Sequence, residues 1–87
     1  MKYMVIETFA SGAKADVYDR FCQKGRMLPE GLHYINSWLE QDGDRCFQPM
    51  ETDQPLLFET WIRAWNDLVS FEIIPLEPLK PAAANYI

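Results

Sequence analysis

Few side chains in this sequence have acid–base or ligand chemistry to offer, and their settings say what that chemistry would be. His33 is the only histidine and follows directly on the loop GRMLPEG. An imidazole titrates near neutral pH, so at a pocket wall it serves as a general base or as a ligand for a metal or haem; otherwise it is an ordinary polar residue at a strand end. Glu7 stands inside the apolar run KYMVIETF. A carboxylate so placed either is paired, with Arg45 or Arg26 as partners, or has a raised pKa and can act as an acid or base. The cost of an unpaired buried charge favours pairing. Ser37 and Gln48 are the kind of sparse polar groups that orient a ligand on an apolar wall, or they satisfy one another. Trp61 and Trp65, with Trp38, either line a site for an aromatic molecule or are core, the usual place for Trp at helical spacing. A metal set would need Glu7, Cys46 and His33 to converge by folding alone, so neither metal nor cofactor is expected. There is no glycine-rich phosphate loop, no Cys-His pair at useful spacing and no Ser-centred nucleophile motif.

Composition narrows the partners. The 87 residues, 48% hydrophobic and 14% aromatic, make one domain with material for a single core. A chain this short hides only about 60% of its unfolded surface, so pairing with a second copy is a natural way to bury more. A net charge of -5 argues against nucleic acid and against anionic membranes, whose affinity comes largely from Lys and Arg. Cys22 and Cys46 are too few for a disulfide framework and read as reduced core thiols. MKYMVIETF is neither a signal peptide nor a membrane span, which makes the cytoplasm the expected location.

These residues must be positioned by six elements. Lys2 to Phe9 is rich in β-branched and aromatic residues and predicts a strand. Ser11 caps a helix from Ala13 to Lys24, with Val17, Tyr18, Phe21 and Cys22 as its apolar stripe and Gly25 just past its end. Gly31 to Glu51 reads as a β-hairpin turning at Asp42-Gly43 in a type I′ turn. Pairing outward sets Glu40 opposite Arg45, Leu39 opposite Cys46, Trp38 opposite Phe47, Ser37 opposite Gln48 and Ile35 opposite Met50. Tyr34, Asn36, Trp38 and Phe47 then share one face; His33, Ile35, Ser37, Cys46, Gln48 and Met50 share the other. A second helix starts at Thr52 or Asp53 with Pro55 in its first turn, and Phe58, Trp61, Ile62, Trp65 and Leu68 recur along it. Val69 to Pro75 predicts the last strand. The domain thus spans residues 1–76, followed by an extended Pro-rich tail over 77–87.

The order strand, helix, strand, strand, helix, strand is that of a ferredoxin-like α+β fold: an antiparallel four-stranded sheet with two helices on one face. Right-handed crossovers place the strands in the order four, one, three, two. Neither face of the hairpin reads as solvated, so the sheet face without helices is expected to meet the same face of another copy.

GRMLPEGL with HYINSWLE, then DRCFQ, TDQPLLFETWI and WNDLVSFEIIP, resemble a family of short bacterial domains known as domain of unknown function 3303. The similarity covers residues 2 to 76. It implies a dimeric α+β barrel, in which two ferredoxin-like sheets pack face to face, and implies no activity. Pro49 departs from the apolar residue with a free N–H that the resemblance calls for. A proline there deletes a ladder hydrogen bond, so a bulge or an end of pairing is expected beside it.

Three functions follow as expectations. The first is a homodimer that binds a small apolar or aromatic molecule between sheet and helices, with Ser37, Gln48, Trp61 and Trp65 in contact and the His33 face of the hairpin towards the pocket. The second is a cofactor-independent monooxygenase- or isomerase-like enzyme with His33 and Glu7 as acid and base. The third is a structural dimerisation or interaction module.

Overall fold

A computed structural model describes residues 1–80. The elements run β1 (Lys2–Phe9), α1 (Lys14–Lys24), β2 (His33–Tyr34), β3 (Trp38–Leu39), β4 (Arg45–Glu51), α2 (Leu57–Arg63) and β5 (Val69–Leu76). The antiparallel sheet has the order β2-β4-β1-β5, with β3 also paired to β4. That is the expected order, except that the second strand of the pattern is broken into β2 and β3. Five short strands therefore stand where four were expected.

The break has a covalent cause. Trp38 faces Phe47 and Leu39 faces Cys46, as expected, but Tyr34 rather than Ile35 faces Met50. One extra residue is thus accommodated between Tyr34 and Trp38. The amide of Ile35 donates to the Pro49 carbonyl at 3.1 Å. In a strand the N–H and C=O of one residue point the same way, so the missing N–H of Pro49 is on this side, and the ladder cannot continue there. On the other side Met4 and Pro49 pair without loss. The bulge falls where the proline predicts it.

The hairpin turn lies one residue earlier than expected. Gly43 N–H donates to Glu40 O at 3.3 Å, and positive φ occurs at Asp42, not at both Asp42 and Gly43. A Cβ on Gly43 would collide with the Glu40 carboxyl, which reaches Arg45 at 2.6 Å.

α1 ends as predicted at Gly25, whose positive φ of 66° turns the chain while its N–H bonds Phe21 O. Its start departs from expectation: Ala13 occupies the cap position with no side-chain cap bond, so Ser11 does not cap it. α2 begins after a turn at residues 55–56. Thr52 accepts the Gln54 N–H at 3.0 Å and donates to Gly31 O at 2.7 Å, tying the turn to the loop before β2. The helices cover the face of β1 that bears Tyr3, Val5 and Phe9, all buried. Phe58 packs edge-on against Tyr3, and Trp61 against Phe71, each at 5.1 Å between ring centroids. Arg20 joins the two helices through a two-pronged bond to Asp67, 2.7 Å per prong, and a third bond to Ala64 O. Cys46 is buried in this core, but Cys22 is exposed, so only one of the two cysteines is a core thiol. The proposed tail falls mostly on residues 81–87, outside the described residues; Glu77 to Lys80 have no regular secondary structure.

Candidate functional site

Between α1, α2 and the sheet lies a cavity of about 460 Å³. Its walls follow from the alternation of β1 and β4. Glu7 and Cys46 are directly paired across the two strands, as are Val5 and Gln48, so both pairs face the helices. Of the residues singled out in the sequence, Glu7, Arg26, Ser37, Trp38, Cys46, Gln48, Trp61 and Trp65 line this space. Tyr18 and Phe21 on α1 and Leu39 on β3, all exposed to solvent, also line it.

His33 is not among the lining residues. It is exposed on β2 and pairs with Glu51, which places it on the opposite face of the sheet from Cys46, Gln48 and Met50. Ser37, Cys46 and Gln48 of the face expected to line the pocket do so, but His33 does not share that face: one extra residue rotates it away and brings Tyr34 to the helix side. Ser37 and Gln48 do not satisfy one another either. The Ser37 hydroxyl bonds the Tyr34 hydroxyl at 2.8 Å, and Gln48 Nε2 donates to Met50 Sδ at 3.3 Å while the residue is buried. Trp61 and Trp65 are both core and cavity wall, 2% and 5% exposed.

The cavity's electrostatics centre on Glu7, Cys46 and Arg26. Burial raises the Glu7 carboxyl above its usual value, opposed by a hydrogen bond from the Cys46 thiol and by the charge of Arg26. Burial likewise pushes the Cys46 thiol up to about 12, helped by the neighbouring Glu7 charge. Of the two pairing partners expected for Glu7, Arg45 is engaged by Glu40. Arg26 acts on Glu7 through its field, and no ion pair between them forms among the described residues. Arg26 is the residue whose importance the sequence did not reveal. Its backbone carbonyl accepts the indole N–H of both Trp61 and Trp65, each at 2.9 Å. Its guanidinium lies over the rings of Tyr34 at 3.5 Å and Phe21 at 5.0 Å, and its Nε is buried with no hydrogen-bond partner. The next residue, Met27, holds a positive φ of 58°, a strained conformation of the sort that collects at functional sites. The sequence marked it only as a candidate partner for Glu7 and as a cation in a loop bounded by Gly25 and Gly31. Among the described residues no group of three His, Cys, Asp or Glu side chains is gathered to hold a metal.

A two-helix, antiparallel sheet with this strand order and a cavity beneath its helices defines a ferredoxin-like α+β domain. The family model of domain of unknown function DUF3303 matches residues 1–85, and the chain belongs to that family. Among solved structures, the L-rhamnose mutarotase of Formosa agariphila is similar, with a TM-score of 0.54 and 16% identity over 92% of this chain and 96% of that one. At that identity the likeness shows the shared fold alone. No curated protein sequence matches the chain. No helix among the described residues is long and apolar enough to cross a membrane.

Proposed function

We propose that this domain is a homodimer that binds a small molecule with an apolar or aromatic body in the cavity between sheet and helices. The observation that carries the reading is the cavity itself: about 460 Å³, walled by Trp, Phe and Val, with a few polar groups at fixed positions. Ligand pockets fall in the range of about 300–1,000 Å³ with this mix of walls. The indole N–H groups of Trp61 and Trp65 are built-in reporters. Titration with phenylacetamide or a similar small aromatic should shift their proton–nitrogen NMR signals saturably, and Val17→Trp, which fills the space, should abolish the shift. A cavity that takes none of a panel of small aromatic and alicyclic molecules would refute the reading.

The dimer rests on the other sheet face. Met4, Ile6, Phe47 and Ile74 lie on it side by side, half-buried, and Trp38, opposite Phe47 and 56% exposed, extends the patch. A standard interface removes about 800 Å² per partner, and this apolar patch, rimmed by Lys2, Arg45, Glu51 and Glu72 on the same face, has the pattern of an interface core with a polar rim. Light scattering should give twice the 10.2 kDa chain mass, and Ile6→Glu should halve it; a wild-type monomer at micromolar concentration would remove the dimer from the proposal.

Acid–base catalysis is the second reading, favoured by Glu7: a carboxyl in a cavity wall whose proton is held more tightly than usual, because burial disfavours its charge, is equipped to take and return a proton. His33 supports it less, being exposed on the far face of β2.

A further inference from the structure

We propose that the ligand of this cavity is an organic monoanion, an aromatic or alicyclic molecule bearing one carboxylate, and that Arg26 is the group that grips the carboxylate. This rests on the reading of the cavity as a binding site and adds the ligand's charge.

Among the described residues Arg26 is the only cation lining the cavity and Glu7 the only acid. Glu7 feels the charge of Arg26 but does not pair with it: no ion pair links the two side chains among the described residues. A guanidinium whose Nε is buried without an acceptor lacks the partner that such a group ordinarily has in a folded protein. Its position is nonetheless fixed from three sides. The two indoles clamp its carbonyl, Tyr34 and Phe21 hold the plane of its head group, and Met27 is strained into a left-handed turn beside it. Tyr34 is itself available only because the bulge at Pro49 puts it on the helix side. A fixed, planar, unpartnered fork of donors matches a carboxylate, which takes two parallel N–H bonds.

The charge of the ligand follows from the same inventory. With the Glu7 carboxyl protonated, the form its burial favours, the one cation balances a single negative charge; a phosphomonoester, carrying more, would have no second cation to offset it. The remaining walls, Phe9, Val17, Trp61 and Trp65, suit a ring rather than a polyol.

The test compares acids with their neutral amides: phenylacetate with phenylacetamide, and indole-3-acetate with indole-3-acetamide, titrated into the full chain and followed by the Trp61 and Trp65 indole signals. The acids should bind at least tenfold more tightly than the amides. Arg26→Gln should reduce the preference to less than twofold, and phenyl phosphate should bind more weakly than phenylacetate. Equal affinity of wild type for acids and amides would overturn this proposal and leave the binding cavity standing. Binding of neither would overturn both. Tighter binding of phenyl phosphate would overturn the monoanion, and an unchanged preference in Arg26→Gln would overturn the role of Arg26. Should Arg26→Gln fail to fold, the wild-type comparison decides alone.

Discussion

Replacing Glu7 with Gln tests the electrostatic account of the cavity at its centre. Burial raises the Glu7 pKa, and the Cys46 thiol and Arg26 offset this only in part. An acid whose folded pKa is raised is at its most favourable when protonated in both states, below its ordinary pKa of 4.5. That contribution is lost as pH rises through the folded pKa, because the folded chain must then hold a desolvated charge which the unfolded chain gives to water. Gln copies the protonated carboxyl in shape, and its amide oxygen can still accept the Cys46 S–H. The variant should therefore be more stable than wild type at pH 7. For a domain of this size each 1 kcal/mol gained raises Tm by about 4–8 °C, so the gain is read as an upward shift of Tm. At pH 4 the two proteins should converge. The assay is urea or thermal unfolding of both from pH 4 to pH 8 at fixed ionic strength. A variant less stable than wild type at pH 7, with a gap that closes on acidification, would mean that the ionised carboxylate is stabilised in the native state, and the account of Glu7 would be wrong.

Two other perturbations address the bulge and the thiols. Deleting Asn36 removes the extra residue between β2 and β3 and should return Tyr34 to the open face. The Arg26–Tyr34 stacking would be lost, a contact worth about 0.5–2 kcal/mol, and the upfield ring shift on the Arg26 side-chain protons should disappear; an unchanged shift would show that another feature holds Tyr34 in place. At pH 8 a disulfide reagent should modify one thiol per chain quickly, the exposed Cys22, and reach Cys46 only in denaturant. Cys46 is buried with its pKa pushed up to about 12, and the thiolate is the reactive form. Two fast thiols would place Cys46 outside the core.

Much of the scaffold was legible along the chain because it depends on local preferences and on patterns of period two and three to four. The strand β1, the exit of α1 at Gly25, the pairs Trp38–Phe47 and Glu40–Arg45, and the strand order can all be read from residue types and spacing. Even the bulge has a local signature, since a proline's missing donor is a covalent fact. Its consequence was not legible. Alternation carries a face assignment along a strand only until one residue is inserted, and whether the insertion falls before or after Tyr34 depends on where β4 resumes pairing. His33 and Tyr34 therefore exchanged faces relative to the regular register.

The sequence by itself determined the ferredoxin-like order of elements, the apolar interior and the candidacy of Glu7, Gln48, Trp61 and Trp65 as site residues. Each of those follows from side-chain period and burial preference. Only the tertiary structure decided that Arg26 belongs with them. Its place is set by contacts with residues 35 and 39 positions away, the Trp61 and Trp65 indoles, and by Tyr34 across the loop; no pattern along the chain encodes contacts of that separation. The same long-range closure removed the sole histidine from the site and left an unpartnered guanidinium in its wall, because the register of two strands, not the identity of any one residue, fixes which side chains look into the cavity.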